Sequence, residues 1–181
     1  HASALGDGKK AILFLGDSGN GKSTSLALLQ AHDFDCIADD FVPVDNQKNV
    51  YSFPAGISIK KNSLETLLSH YPELENSAEF HYKRLNKIVR YLPPSDIEYQ
   101  KKYPCKAFIF IKYDSNTDFE FKEIDRIEAF QNLIPDSWIS QKLENVAVFL
   151  DWFSSLPCFE LSYANNQKMT EKIGQLLKDE L

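Results

Sequence analysis

Residues 16–24 read GDSGNGKST and combine residue types suited to binding a polyphosphate. Gly16, Gly21, Lys22 and Ser23 satisfy the pattern G-x-x-x-x-G-K-[ST]. Glycines let the backbone turn tightly and bring successive N–H groups close to phosphate oxygens, and the lysine adds a full positive charge. The serine hydroxyl is a suitable ligand for Mg²⁺, which prefers oxygen donors. The pattern therefore predicts a nucleotide-binding loop.

Two adjacent carboxylates, Asp39 and Asp40, follow an apolar segment 17 residues after Lys22. One carboxylate could bind Mg²⁺, directly or through water, and the other could accept a proton from an attacking hydroxyl. A solvated turn is the alternative for such a dipeptide. Adjacent strand residues face opposite ways and local kinks decide their direction, so the sequence leaves open which aspartate is the base.

Apolar periodicity and turn residues predict the elements that position these groups, with a strand before the loop and a helix after it. A polar turn at 45–48 is expected to join two of the strands, and Asn62 with Glu65 indicates a capped helix start. The predicted strands cover 11–15, 35–38, 41–44, 50–53, 57–59, 105–113 and 157–161, and strand-like alternation extends over 80–92, centred on 88–92. The predicted helices cover 25–30, 62–71, 125–134, 143–154 and 166–180.

Strands and helices mingle along the chain without repeats, low complexity or a flexible linker. This order favours one α/β domain over residues 1–181, a P-loop nucleotide-binding domain built on a mixed β-sheet. The chain opens at His1 rather than Met, so we expect a fragment of a longer protein. Trp138 and Trp152 are predicted in the core, and His32, His70 and His81 at the surface or at helix ends, in each case without a partner pattern.

Composition limits the partners and the compartment. Apolar residues make up 43% of the chain, but the longest apolar runs are far shorter than the roughly 20 residues of a membrane span, which predicts a soluble protein. The net charge of −6, with basic residues spread along the chain, argues against nucleic acid as a partner. Cys36, Cys105 and Cys158 are odd in number and widely spaced, which fits buried thiols in the cytoplasm.

Several nucleotide-dependent classes leave traces that this chain lacks. The closest match to the base-reading Asn-Lys-x-Asp of a GTPase, NKIV at 86–89, has no aspartate. A Ser-Gly-Gly transport-ATPase signature cannot occur, because the only glycines after the loop are Gly56 and Gly174. His-Arg-Asp and Asp-Phe-Gly, which mark eukaryotic-type protein kinases, are absent too. A small-substrate kinase or a serine kinase remains.

The N-terminal third of the chain resembles a known family. His1-Ala2-Ser3, a strand, GDSGNGKST, a helix and then CIADDFVPVD resemble the catalytic domain of HPr kinase/phosphorylase and its relatives. These proteins share the phosphoenolpyruvate-carboxykinase-like P-loop fold. The resemblance is specific over residues 1–44, and beyond them it depends on FPAGISIKKNSLE, the KAFIFIK strand and LPCFEL.

The resemblance implies a role for each matching position. Asp39 and Asp40 would handle the metal and the proton of an acceptor serine, with Ser23 and Asp40 as the metal ligands, and His1 would point toward the transferred phosphate. Catalysis would then involve Asp39, Asp40, His1 and Lys22, with ATP and Mg²⁺ bound. The residues implied to bind the nucleotide are Gly16, Asp17, Ser18, Gly19, Asn20, Gly21, Lys22, Ser23 and Thr24.

The chain also departs from the family's pattern. HPr kinases carry a second glycine-rich signature with an arginine, and nothing between Gly56 and Gly174 supplies it. This departure puts in doubt both HPr as the substrate and the reverse phosphorolysis, and indicates a divergent member. Basic residues that could replace the arginine are Lys60, Lys61, Lys83, Arg84, Lys87 and Arg90, of which Lys60 and Lys61 follow a predicted strand end.

Three functions stay open at this point. The main hypothesis is a Mg-ATP-dependent kinase that transfers the γ-phosphate to a serine-type hydroxyl on a protein or peptide. The alternatives are a nucleotide-binding regulatory module that transfers nothing, and a small-metabolite kinase. Relatives assemble into rings, so a homo-oligomer is compatible with the resemblance, although the sequence itself does not indicate an oligomeric state.

Overall fold

The computed structural model describes residues 1–53, 55–83, 87–94, 100–140 and 142–178. Short 3₁₀ turns lie at Pro72–Asn76 and Ile134–Asp136. The described helices are α1 (Lys22–Gln30), α2 (Lys61–Leu67), α3 (Arg126–Leu133), α4 (Leu143–Ser155) and α5 (Asn166–Lys178). The described strands are β1 (Ser3–Gly6), β2 (Ala11–Leu15), β3 (Asp35–Ala38), β4 (Asn49–Tyr51), β5 (Ile57–Lys60), β6 (Phe80–Tyr82), β7 (Lys87–Leu92), β8 (Lys102–Tyr113), β9 (Phe119–Glu123) and β10 (Cys158–Tyr163).

The main sheet has the strand order β3–β1–β2–β8–β10–β9, and β4 pairs with the first residues of β8. The central strand β8 runs parallel to both of its neighbours, β2 and β10. In contrast, β1 runs antiparallel to both β2 and β3, and β9 runs antiparallel to β10. The prediction of an α/β architecture with a mixed sheet is therefore confirmed.

Helices cover both faces of this sheet. The sequence of β2 fits this arrangement, because its side chains are apolar on both faces. Ile12 and Phe14 belong to the apolar core on the face covered by α1 and α5. Leu13 and Leu15 belong to the core on the opposite face, which α3 and α4 cover. Because successive strand residues alternate between faces, a strand buried on both sides reads as an unbroken apolar run, as AILFL does.

A smaller antiparallel sheet of order β5–β7–β6 lies beside the N-terminal end of α1, next to the glycine-rich loop. Ile57 and Ile59 of β5 are buried in the same core as Leu26 and Leu29 of α1. The alternate residues of β5, Ser58 and Lys60, face away from that core. This arrangement places polar groups of the small sheet next to the loop that precedes α1.

The strand predicted at 41–44 is not formed, and only a single bridge joins Val44 to Val50. Two local features explain this. Asp40 has φ 63, so the chain turns away from the direction of β3 directly before the segment. Pro43 has no N–H to donate, although its carbonyl accepts from Tyr51 at 3.0 Å. The turn at 45–48 does form, with Lys48 N–H donating to the Asp45 carbonyl at 3.1 Å.

Other boundaries shift for physical reasons. The helix after the loop begins at Lys22 rather than Ser25. In α2 the N-cap is Lys60, still extended at φ −81 and ψ 156, with no side-chain capping bond, so the cap predicted at Asn62 is wrong. Because β5 runs directly into α2, no separate capping residue fits between them. The sequence analysis also missed β1 and β9; β1 is short, and β9 (FEFKE) is mostly exposed.

Trp152 is buried as predicted, at 6% exposed, but Trp138 is 83% exposed, and its predicted core position is wrong. Trp138 lies between the 3₁₀ turn and α4, outside the apolar face of either element. His32, His70 and His81 are exposed, as expected. Arg84, a candidate to replace the missing arginine, and Asn86 of the NKIV segment lie outside the described residues, as does Pro54. In the part of the chain that is described, no helix has the length and apolar character that a bilayer crossing requires.

Candidate functional site

The GDSGNGKST loop connects the end of β2 to the start of α1, as the pattern predicts. Gly21 is the N-cap of α1 and has a left-handed backbone, with φ 92 and ψ 4. The Tyr113 N–H donates to the Asn20 carbonyl at 3.0 Å, so the loop is tied to the end of β8. The free N–H groups at the start of α1 thus lie at the edge of the sheet, where a helix N-terminus favours an anion.

Lys22 is only 5% exposed, and its ammonium is held by its own loop. Nζ donates to the Gly16 carbonyl and to the Asp17 carbonyl, the latter at 3.1 Å. Burial lowers the pKa of Lys22, and the carboxylates of Asp40, Asp136 and Asp39 oppose that shift. The Lys22 ammonium is withdrawn from water and only partly compensated by carbonyl dipoles, so a bound phosphate would stabilise its positive charge.

Asp39 is 3% exposed and accepts three hydrogen bonds. Its Oδ1 accepts from Ser3 Oγ at 2.6 Å and from Ser23 Oγ at 3.0 Å, and its Oδ2 accepts from the Ser58 N–H at 3.0 Å. Burial raises the pKa of Asp39, and these hydrogen bonds oppose the rise. A carboxylate thus sits beside the loop serine whose type and position suit Mg²⁺ binding.

Strand register explains how Asp39 and Ser3 meet. Ala4 of β1 is paired with Ala38 of β3 in antiparallel register. Ser3, the residue before Ala4, is therefore next to Asp39, the residue after Ala38. Ser3 had no role in the sequence analysis beyond its place in the matched His1-Ala2-Ser3 run. Its only signal was that run, because no local pattern reveals the partner of a strand.

Asp40 has a different environment from Asp39. The Phe41 N–H donates to the Asp39 carbonyl at 2.8 Å, which forms a γ-turn around Asp40 with φ 63. Turns of this hand are rare and strained in L-residues, and such strain tends to occur at functional sites. The turn leaves Asp40 exposed while Asp39 stays buried. The two carboxylates therefore separate into one that contacts the loop serine and one that faces the cavity.

His1 lies between two carboxylates at this end of the site. Its Nε2 is 3.5 Å from Asp40 Oδ1, and its Nδ1 is 3.9 Å from Asp136 Oδ1. The resemblance implied Ser23 and Asp40 as the metal pair, whereas the carboxylate that contacts Ser23 is Asp39. Asp136, at the end of a 3₁₀ turn, is a member of the site that sequence reasoning did not find.

Two lysines of the small sheet contact the loop at Ser18. Lys60 Nζ and Lys87 Nζ lie 3.1 Å and 3.3 Å from Ser18 Oγ. Burial, followed by the charge of Lys87, lowers the pKa of Lys60. Two like charges that converge on one hydroxyl form a site prepared for an anion. Both are among the residues that the sequence offers in place of the missing arginine.

The remaining basic candidates are not placed in this way. Arg90 donates to Glu79 at 2.7 Å and to the Ser77 carbonyl at 2.7 Å, so it stabilises the small sheet. Lys61 and Lys83 are exposed. Among the basic candidates that the structure describes, Lys60 and Lys87 are the ones that donate to the loop, both to the Ser18 hydroxyl.

His1, Asp40, Lys60 and Lys87 line a cavity of about 330 Å³ together with residues of the loop. Besides the predicted residues it is lined by Ser63, whose Oγ is 2.9 Å from Thr24 Oγ1, and by Tyr82 and Tyr91. The two tyrosine hydroxyls are 2.7 Å apart, and this hydrogen bond together with burial raises the pKa of Tyr91 to about 12. The tyrosines were not anticipated, because no local sequence pattern connects them with the loop.

The oxygen donors of Ser23 and Asp39 fit Mg²⁺, which is commonly held by one or two protein oxygens together with phosphates and water. Within the described ranges, no cluster of three or more His, Cys, Asp or Glu side chains forms a ready-made metal site. A hard cation shared with a polyphosphate is therefore the metal chemistry that these residues suit.

Comparison with known proteins adds no family assignment to this geometry. A scan against protein-family models finds no match to the chain, and a search of curated proteins finds none either.

Proposed function

We propose that this chain is a Mg-ATP-dependent kinase that phosphorylates a serine-type hydroxyl on a protein or peptide, in a divergent HPr-kinase-like domain of the phosphoenolpyruvate-carboxykinase-like fold. The observation that carries the proposal is the 3.0 Å hydrogen bond between Ser23 and buried Asp39. In P-loop nucleotide hydrolases the loop serine or threonine and an aspartate on a neighbouring strand hold the Mg²⁺ of the nucleotide. The same two residue types meet here at the end of a glycine-rich loop.

The proposed roles follow from position. Lys22 and the loop amides bind the polyphosphate, and Lys60 and Lys87 add positive charge from the side of Ser18. Ser23 and Asp39 hold Mg²⁺, which when bound neutralises phosphate charge. This arrangement differs from the pair implied by the resemblance, because Asp40 is left free of Ser23 and faces the cavity.

Asp40 is the proposed general base. In the transfer, the acceptor hydroxyl oxygen forms a bond to the γ-phosphorus, and the bond from that phosphorus to the β,γ-bridging oxygen breaks. The hydroxyl proton passes to the Asp40 carboxylate, and ADP leaves with the bridging oxygen. His1, with Nε2 3.5 Å from Asp40, orients this carboxylate.

Separate variants test binding and transfer. Lys22→Ala should abolish ATP binding measured by calorimetry, whereas Lys106→Ala, which removes a buried lysine bonded to the Leu176 carbonyl at 2.7 Å, should leave it unchanged. Undiminished ATP affinity in Lys22→Ala would contradict the assignment of the loop.

Transfer is measured with labelled ATP, Mg²⁺ and a panel of serine-containing peptides, proteins and small alcohols. Asp40→Asn should retain ATP binding and lose transfer by at least about a hundredfold, the lower end of the contribution of a general base. Asp33→Asn is the matched control, because Asp33 is also exposed and also has a positive φ of 66. ATP binding by the wild type without transfer to any acceptor would favour a nucleotide-binding regulatory module instead.

A further inference from the structure

A second and larger cavity adjoins the candidate active site. It has a volume of about 630 Å³ and lies between the segment after Asp40, the main sheet and α4. We call it the apolar cleft and define it by the aromatic and aliphatic side chains of Leu13, Leu15, Phe41, Phe108, Phe149 and Trp152. His1 lines both this cleft and the cavity above the loop, so the two spaces share a wall.

Exposed aromatic side chains gather at the mouth of the apolar cleft. The ring of Phe41 lies 5.4 Å from that of Phe53 and 6.1 Å from that of Trp138. These side chains are 42%, 41% and 83% exposed, in the same order. A cluster of exposed large apolar groups at the rim of a cavity is typical of a ligand site. Phe41 directly follows Asp40, so the cluster begins beside the proposed base.

The shared wall carries two carboxylates, while the nearby Lys22 ammonium is buried and bonded to loop carbonyls. The single imidazole of His1 lies between the carboxylates of Asp40 and Asp136, at 3.5 Å and 3.9 Å. Lys48, the lysine among the described residues of the cleft lining, is paired with Asp151. A ligand that passes this wall is therefore favoured when it carries a positive charge and disfavoured when it carries a carboxylate.

We propose that the apolar cleft binds the acceptor, which is a peptide that carries a bulky apolar residue and a basic residue close to its serine, since Asp136 and Phe41 line the same cleft. The proposal rests on the proposed kinase function. The serine hydroxyl lies at Asp40, the apolar side chain enters the cleft past Phe41, and the basic side chain lies near Asp136. The cleft exceeds what one side chain fills, so it also accommodates neighbouring main chain.

A peptide library tests this specificity. Each peptide carries a fixed central serine, and the flanking positions are varied one at a time. Leucine or phenylalanine beside the serine should raise kcat/KM about tenfold to a hundredfold over glycine, as expected when one large apolar side chain leaves water. Aspartate or glutamate at the flanks should lower it.

Two tryptophan variants on α4 test whether the cleft is responsible. Val148 lines the cleft, and Val148→Trp should fill it and abolish the preference for leucine over glycine, while ATP affinity stays unchanged. Leu150 lies on the same helix, is 43% exposed and is not part of the lining. The control Leu150→Trp should keep the preference.

The outcomes distinguish failure of the acceptor role of the cleft from failure of the proposed kinase activity. Transfer to serine peptides without an apolar preference, or with a preference that survives Val148→Trp, would overturn the cleft assignment and leave the kinase standing. ATP binding without transfer to any peptide would overturn the kinase, and the acceptor role of the cleft with it. If no peptide is phosphorylated, peptide binding to Lys22→Ala is measured by tryptophan fluorescence. That measurement shows whether the cleft binds apolar peptides without serving a kinase.

Discussion

The hydroxyl oxygen of Ser23 lies 3.0 Å from Oδ1 of Asp39, although 16 residues separate them in the chain. Ser23 belongs to the first turn of α1, and Asp39 directly follows β3. The same carboxylate oxygen accepts from Ser3 at 2.6 Å, which fixes its direction. The contact thus joins the glycine-rich loop to the acidic pair, and under the proposed function it is where Mg²⁺ would bind.

Loss of either member of this pair should weaken the dependence of ATP binding on Mg²⁺. For Ser23→Ala and Asp39→Asn we expect ATP affinity in Mg²⁺ to fall about 10-fold to 100-fold, the usual effect of altered metal coordination. In EDTA both should match the wild type. Calorimetric titration with and without Mg²⁺ measures this.

The control for this prediction is Ser25→Ala. The Ser25 hydroxyl is 2.6 Å from the Tyr163 hydroxyl, in the core and away from Asp39. It should therefore keep the full Mg²⁺ effect on ATP affinity. An equal loss with and without Mg²⁺ in Ser23→Ala would remove the metal role from the pair.

The difference in stability between Asp39→Asn and the wild type should depend on pH in a defined direction. Burial raises the pKa of Asp39 above its ordinary value of 3.8, so the folded state favours the protonated form. The associated stability is fully present below pH 3.8 and is lost as the pH rises through the raised pKa. Asparagine does not ionise, and the serine hydroxyls can rotate to accept from its amide. We therefore expect Asp39→Asn to exceed the wild type in free energy of unfolding at pH 7, with a gap that shrinks toward pH 4.

Denaturant unfolding at several pH values measures this gap, and Asp45→Asn supplies a control of opposite sign. Burial alone would raise the pKa of Asp45, but hydrogen bonds from Asn49 and Tyr51 lower it. Asp45→Asn should therefore lose stability at neutral pH and approach the wild type in acid. A wild-type advantage over Asp39→Asn that grows with pH would contradict the buried-carboxylate reading.

Two glycines of the loop should respond differently to alanine. Gly19 and Gly21 both have positive φ, at 107° and 92°, so alanine at either costs about 1–2 kcal/mol of backbone strain. A Cβ at Gly19 meets no atom within 4 Å, whereas at Gly21 it would lie 3.1 Å from the Tyr163 hydroxyl and 3.3 Å from Tyr113 Cβ. Urea unfolding should show the larger loss for Gly21→Ala. Equal losses would mean that the loop moves away from β8 and β10 without cost.

The lysines of the small sheet should contribute to ATP affinity. Because hydrogen bonds to charged groups contribute about 1.5–3 kcal/mol, we expect Lys60→Ala and Lys87→Ala each to weaken ATP binding about tenfold or more. The effect should decrease in high salt, which screens partly exposed charges. Lys61→Ala is the control, because Lys61 is adjacent in sequence but exposed. A loss in Lys61→Ala equal to that in Lys60→Ala would point to general charge rather than to these contacts.

Local patterns predicted much of the fold. The apolar run at 11–15, the long inner strand ending at Tyr113 and the amphipathic helices α3, α4 and α5 lie where periodicity places them. The failures occur where a neighbour in space decides the structure. Segment 41–44 does not form the predicted strand, because of the γ-turn at Asp40 and of Pro43. Trp138 lies in a loop, where exposure depends on elements distant in sequence.

The sequence by itself determined the loop: a strand, two glycines at set spacing, Lys22 and Ser23 are adjacent along the chain, and their geometry follows from local backbone preferences. Tertiary structure alone decided the different environments of the two aspartates, because the register of β1 against β3 and the γ-turn bury Asp39 and expose Asp40. It also brought Lys60, Lys87 and the apolar cleft to the loop. Strand pairing and sheet packing join residues far apart in the chain, and no local pattern encodes those distances.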